Sequence, residues 1–361
     1  MQILYFGIVG LILLVSSCQA QKNNLGKLID CEGESMPINR RTVLTKIAFG
    51  SCALETKNQP ILDVAVEEKP DLFIYLGDNI YGDTENMKKL AKKYNKLCAK
   101  TEFQNLQQTC PILATWDDHD YGANDAGLEY PMKEESKELF LSFWGEPQNS
   151  SRRKHKGIYT SYLFGKGAQV VQIILLDTRT FRTPLLAADE TDPEHRNSYR
   201  PNLSETATLL GEDQWKWLAK QFEKPAVIRI IGSSTQFGIE YNGYEAWANF
   251  PVEKQKMLRL IKDKKANGVC FISGDVHYAE VSKVVENAAY PVYDFTSSGI
   301  TQTWSHVEEN GNRVGEACSD NNFGLLEIDW KARNIIFKAI DVNKEIRITN
   351  TINISELRAT E

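Results

Sequence analysis

The chain has no basic tail, no internal repeat, no low-complexity run and no Gly-x-Ser-x-Gly segment. Each absence bears on function. With a formal net charge of −6 and no basic terminus, nothing indicates a nucleic-acid-binding surface. The missing nucleophile elbow argues against a serine hydrolase. No repeat or shift in composition divides residues 44–361, which read as one domain, and residues 18–43 read as a tether and lead-in. Residues 1–17 contain no charged side chain. That apolar run is too short for a comfortable membrane span and reads as the core of a signal peptide. The rest is ordinary for a globular protein: 42% hydrophobic and 25% charged over 361 residues, enough to bury a sizeable α/β core.

Strand-like apolar runs alternate with helical periodicities. Residues 45–52 read as a strand, 60–68 as a helix with Pro60 in its first turn, and the run to Gly77 as a second strand. Together they form a parallel, right-handed βαβ unit. Residues 86–97 look helical and basic, a solvated face; 102–109 and 133–144 are further helices. Residues 158–164 and 168–176 read as a hairpin joined at Gly165-Lys166-Gly167. Residues 184–201 form a long polar loop, of a length that is often functional. Helices at 211–222 and 252–266 flank a strand at 226–231, and Gly268 ends the second helix. Late strands fall at 291–296, 324–330, 335–340 and 346–350.

Four of the apolar runs end on reactive groups. Ile47-Ala48-Phe49-Gly50-Ser51 leads to Cys52, and Phe73-Ile74-Tyr75-Leu76-Gly77 leads to Asp78, with Tyr81 and Asp83 close behind. Ile112-Leu113-Ala114-Thr115-Trp116 leads to Asp117-Asp118-His119-Asp120, and Cys270-Phe271-Ile272-Ser273-Gly274 leads to Asp275-Val276-His277. Short continuous apolar runs are the mark of buried parallel strands, and ligands gather outside the C-terminal ends of such strands. If the four ends converge, one pocket holds a thiol, carboxylates, a phenol and two imidazoles. Oxygen donors suit hard cations; thiolate and imidazole suit iron or zinc.

Plainer readings stand beside these. Asp78 could cap a turn, and Cys52 could be a packed apolar residue. The acidic cluster could be a solvated loop, although carboxylates that close repel unless they are solvated or bind cations. Arg179 shares a face with Asp177; it could clamp a phosphate oxygen or pair with a carboxylate, and the sequence leaves both open. His119, flanked by carboxylates, is expected to keep a raised pKa and to protonate a leaving oxygen.

Of the cysteines beyond the leader, Cys270 lies inside a strand and reads as a packed thiol. An exported chain permits disulfides. Cys98 and Cys110 flank a short helix and could pair; Cys31 and Cys318 could pair if the N-terminal tail folds back; the connectivity stays open. The leader ends Leu14-Val15-Ser16-Ser17-Cys18, which resembles a bacterial lipoprotein cleavage box, although no Lys or Arg precedes it. That resemblance implies an exported, membrane-anchored lipoprotein acylated at Cys18. A plain secretory signal is the alternative.

The ordered set Gly50-Ser51-Cys52, Gly77-Asp78-Asn79-Ile80-Tyr81, Trp116-Asp117-Asp118-His119-Asp120, Leu176-Asp177-Thr178-Arg179 and Ser273-Gly274-Asp275-Val276-His277 resembles the alkaline phosphatase D (PhoD-like) family of metallophosphoesterases. The resemblance implies a four-layer α/β/β/α sandwich of two mixed sheets flanked by helices. It implies iron, Fe(3+), held by Cys52, Asp78, Tyr81 and His277. Asp78 would bridge to a second site, calcium, Ca(2+), shared by Asp118 and Asp275, with Asn124 adding an oxygen. A metal-activated hydroxide would attack phosphorus while His119, Asp118 and Arg179 act on the substrate. Asp120-Tyr121-Gly122 departs from many members, and Asp83 is left without a role. The expected activity is hydrolysis of a small-molecule, lipid or polymer phosphate ester, as phosphomonoesterase or phosphodiesterase, by a monomer. The competing reading is a non-catalytic calcium-binding surface lipoprotein, which would need neither Cys52 nor Tyr81.

Overall fold

A computed structural model describes residues 25–359 except 32–34, 190, 192–194 and 196. The expected signal segment and Cys18 lie outside the described residues. Strand alternation dictates the layering. In β2 (Leu72–Leu76), Leu72, Ile74 and Leu76 point to one core, while Phe73 and Tyr75 point to another. β1 (Lys46–Gly50) divides Ile47 and Phe49 from Ala48 in the same way. A strand covered on both faces must be apolar throughout, which is why these runs are continuous.

β1, β2 and β3 (Ile112–Thr115) pair in parallel. An antiparallel meander of β12 (Asn322–Asp329), β13 (Asn334–Asp341) and β14 (Ile346–Asn353) extends them into a six-stranded sheet, ordered β14-β13-β12-β1-β2-β3. The second six-stranded sheet holds β4 (Thr160–Phe164), β5 (Val171–Leu175), β8 (Ile228–Ser233), β9 (Val269–Ser273), β10 (Ala279–Val284) and β11 (Val292–Ser297), ordered β10-β11-β9-β8-β5-β4. β5, β8, β9 and β11 are parallel. Phe337 of the first sheet stacks on Phe295 of the second at 4.9 Å between ring centroids. Truncating so buried an aromatic costs about 3–5 kcal/mol.

Helices α1 (Pro60–Glu67), α2 (Met87–Cys98), α3 (Thr101–Thr109) and, after the single turn α4 (Asp118–Tyr121), α5 (Lys133–Phe143) cover the first sheet. α6 (Gly211–Phe222) and α7 (Pro251–Asp263) cover the second through Trp215, Leu218, Phe222, Met257, Leu258 and Ile261. The architecture is the expected four-layer α/β/β/α sandwich.

Two strand features were not anticipated. β10 follows His277 directly and buries Glu280 and Ser282 as well as Ala279 and Val281. Glu280 is matched by Arg313 at 2.6 Å and by Asn310, so a polar stretch left unassigned from sequence is a strand buried except at Lys283. The 184–201 loop carries a two-residue ladder, β6 (Leu186–Ala187) with β7 (Tyr199–Arg200). The cysteine pairing also differs from both sequence options. Cys31 bonds Cys98, with Cα atoms 5.6 Å apart, and Cys110 and Cys318 are buried free thiols. Asn95 explains the docking of the lead-in: its side chain accepts from the Asp30 N–H and donates to the Leu28 carbonyl, each at 2.9 Å.

Candidate metal centre

The chain turns sharply where each strand delivers its candidate ligand. Cys52, Asp78, Asp275 and His277 have φ of 63°, 49°, 75° and 61°. The left-handed region costs a non-glycine residue about 1–3 kcal/mol and persists only where the surroundings over-determine it. Here they do. The Cys52 N–H donates to the Gly77 carbonyl and the Ala53 N–H to that of Asp78. The His277 N–H donates to Ser298 Oγ at 2.9 Å. A Cβ on Gly274 would overlap the Ser51 side chain, and one on Gly77 would overlap Asp117, so the strand ends meet as closely as glycine allows.

Asp120 ties two of these turns together. Its carboxylate accepts from the Asp117 N–H at 2.7 Å, the Asp78 N–H at 3.2 Å and Asn79 Nδ2 at 2.5 Å. It is fully buried beneath the site and acts as a brace.

Donor atoms of Cys52, Asp78 and His277 lie within 4.8 Å of one another. The same spacing unites Asp78 with Asp118 and His119, Asp117 with Asp118 and Asp275, and Asp118 with Asp125 and Glu245. Asp78 is shared by the first two groups and Asp118 by the last three. Cys52 Sγ is 3.4 Å from Asp78 Oδ2, and Tyr81 OH is 3.2 Å from His277 Nε2. A cavity of ≈ 260 Å³ opens over the cluster. Asp78, Asp118, His119, Asn124, Asp275 and His277 line it together with Ser198, Tyr199, Tyr244, Glu245 and Trp304.

Electrostatics show that this donor set is suited to a cation. Burial, followed by the fields of Asp118 and Cys52, pushes the Asp78 carboxyl well above its ordinary range. Burial and the Asp117 field do the same to Asp275. Burial pushes the Cys52 thiol up to about 12, and the Tyr81 phenol up as well. Burial, helped by His119, pulls His277 down to about 4, which leaves a neutral imidazole with a lone pair to give. Asp118 is held below its ordinary value: burial opposes ionisation, but Arg179 and His119 outweigh it. Its Oδ1 is buried and has no hydrogen-bond donor. A metal ion supplies the positive charge that ionises such thiols and phenols and satisfies such an oxygen.

Arg179 lies behind the carboxylates. It is fully buried and does not line the cavity. Nε donates to Asp117 Oδ1 at 2.5 Å and Nη1 to Glu245 Oε1 at 2.8 Å, and Nη2 contacts Asp117. The structure thus shows Arg179 paired with the Asp117 and Glu245 carboxylates. Asp177 caps the turn below, accepting from the Arg179 and Thr180 N–H groups. Asp83 gains a partner: His119 Nδ1 lies 2.8 Å from its Oδ1. Burial lowers the His119 pKa, but the bond to Asp83 and the Asp118 field carry it up to about 9. Asp125, Tyr199, Tyr244, Glu245 and Trp304 also line the site, and sequence reasoning missed all five. Only Asp125, next to Asn124, lay near a motif.

A four-layer sandwich with Asp, His and Cys donors gathered at its strand ends defines a metallophosphoesterase-type protein. The PhoD-like phosphatase family model matches residues 47–326, and the chain belongs to that family. Alkaline phosphatase D of Bacillus subtilis (strain 168) is 24% identical over 258 residues, 60% of this chain. That match spans 43% of the relative, so the chain corresponds to less than half of its length. The solved structure of PhoD superposes with a TM-score of 0.68 at 16% identity, covering 90% of this chain and 73% of that one. GAP50, described as the anchor in the inner membrane complex of Plasmodium, superposes at 0.53 with 15% identity over 88% and 89% of the two chains.

Proposed function

We propose that the protein is an exported, metal-dependent phosphoric-ester hydrolase acting on monoesters, diesters or both. The observation that carries this reading is the convergence of Cys52, Asp78 and His277, with Tyr81 against His277, beside a carboxylate group that shares Asp78. The fold alone is not enough, since the same sandwich serves a protein described as an anchor. A structural calcium site needs oxygen ligands only, and the buried thiol and imidazole would be idle in it.

In this reading Cys52, Asp78, Tyr81 and His277 hold iron, and Asp78, Asp118, Asn124 and Asp275 hold calcium. Cations held there would make water more acidic and would offset the charge of the phosphoryl oxygens. The chain's own groups do the rest. Asp120 and Arg179 fix the carboxylates from below. Asp83 engages His119 Nδ1, so Nε2 is the nitrogen left to hand a proton to the leaving oxygen. The lining residues Tyr199, Tyr244 and Trp304 face the group carried by the ester. Export is supported by the Cys31–Cys98 disulfide, a bond suited to an oxidising compartment.

The test is elemental analysis and visible absorption of the purified chain, with hydrolysis of p-nitrophenyl phosphate and bis-p-nitrophenyl phosphate assayed with and without calcium. Iron with a charge-transfer band and calcium-dependent turnover is the expected result. Calcium alone, without colour or turnover of either ester, would establish the binding module instead.

A further inference from the structure

The chain is acidic overall, yet one helix face is basic. α2 exposes Lys88, Lys89, Lys92 and Lys96 and buries Met87, Leu90, Ala91, Tyr94 and Leu97. Lys88, Lys92 and Lys96 repeat every four residues, one stripe roughly 12 Å long at 1.5 Å per residue. Among the described residues none of the four exposed lysines pairs with a carboxylate, whereas Lys93 turns to Glu55 at 3.1 Å. Like charges four apart disfavour a helix, so stability gives no reason for the stripe.

The chain's path supplies the second observation. The Asn95 hydrogen bonds and the Cys31–Cys98 disulfide seat residues 25–31 on α2, with Lys27 exposed there too. Cys18 stands seven residues before Leu25, at most ~25 Å of extended chain. The third is the neighbourhood of the site. Just before α2, the Gly82 N–H donates to the His119 carbonyl and the Thr84 N–H to that of Gly122. Asp30, Glu85 and Asp83 are exposed acids close by, the last engaged with His119, and Glu134, Glu135 and Glu138 are part-exposed on the helix packed against α2.

We propose that the lysine face of α2 docks the protein on an anionic lipid surface and brings the cavity mouth beside its headgroups. Basic clusters on amphipathic helices bind such surfaces, and the attraction grows with each lysine. The inference stands without turnover, because docking is read separately from hydrolysis.

The experiment uses the processed chain with Cys18→Ser, which keeps every described element and removes the acylation site. Sedimentation with phosphatidylglycerol–phosphatidylethanolamine vesicles at ~50 mM salt should show binding that fades toward ~500 mM as the Debye length shrinks. Phosphatidylcholine vesicles should not bind. The triple change Lys88→Gln, Lys92→Gln, Lys96→Gln should weaken binding roughly 100-fold, and Lys262→Gln with Lys265→Gln should leave it unchanged. Melting temperature should not fall, and any hydrolysis of bis-p-nitrophenyl phosphate in solution should not change, in the triple variant, so lost binding cannot be ascribed to a damaged fold or site. Failure of the parent to bind anionic vesicles overturns the proposal, as does equal binding by the triple variant or equal binding to neutral vesicles. Binding of soluble polyphosphate but not of vesicles also overturns it, in favour of a polymer surface. If neither protein hydrolyses the ester, the functional reading falls while the vesicle results still decide this one.

Discussion

Arg179→Met separates the two roles that an arginine at this point of the chain could play. The native guanidinium sits between Asp117 and Glu245, with Nη2 2.6 Å from Glu245 Oε2 and 3.8 Å from Asp118 Oδ1. All of these groups are buried. Methionine fills much of the volume but strands two carboxylates. Breaking a buried pair from one side costs about 3–5 kcal/mol. Unfolding entropy near ~2.1 cal/mol/K per residue gives a chain of this size ~0.76 kcal/mol/K. The thermal midpoint of the metal-loaded protein should therefore fall by about 4–7 °C in calorimetry. Adding Glu245→Gln should recover part of that loss, because one stranded charge is removed. A phosphate clamp predicts a different pattern: an unchanged midpoint and a raised KM. That pattern would refute the assignment of Arg179 to the foundation of the site.

Asp78→Asn should abolish turnover and lower metal content by elemental analysis, since Asp78 belongs to two donor groups. His119→Ala should keep the metals and lose roughly 10²–10⁴-fold in kcat, the usual worth of a general acid; full activity would remove His119 from that role. Asp294, which accepts from the Phe237 and Gly238 N–H groups and from Ser273, is pushed by burial from 3.8 to about 6. A carboxyl whose folded pKa is raised favours the native state below its unfolded pKa, and that contribution is lost as pH rises through about 6. Asp294→Asn should therefore raise stability relative to the parent at pH 8 by up to ~3 kcal/mol, by about half of that at pH 5, and by almost nothing below pH ~3.5. An equal effect at all three pH values would contradict this. Thiol labelling of the processed Cys18→Ser chain under non-reducing denaturation should find Cys52, Cys110, Cys270 and Cys318 and miss Cys31 and Cys98. Cys98→Ser should cost about 2–4 kcal/mol.

What was legible in the sequence is what local rules dictate. Phe73 to Leu76 is apolar throughout because both its faces are covered, and Gly77 follows because Asp117 leaves no room for a Cβ. So the strand and the carboxylate at its end could be read together, and three more strand ends carried the same signature. α2 was readable because Asn86 caps it and its lysines and apolar residues alternate with helical period. The cysteine pairing was not, because Cys31 meets Cys98 through the path of the lead-in, and no local pattern encodes that path.

The rest of the cavity lining and the foundation of the site escaped the reading for a related reason. Glu245 lies 66 residues from Arg179 in the chain and Asp117 lies 62; only the packed fold brings them to one guanidinium. The left-handed turns at Cys52, Asp78, Asp275 and His277 are nearly as silent, because Asp and His are only enriched at φ > 0 and Cys is not, so the side chains do not specify the turn. The ligands are therefore named by strand-end motifs but aimed by distant partners such as Asp120, Arg179 and Ser298. A substitution such as Ser298→Ala, which keeps every candidate ligand and removes one hydrogen bond to a strained turn, should reduce metal affinity before it reduces the fold's integrity, because the strained turns have the least to lose by relaxing.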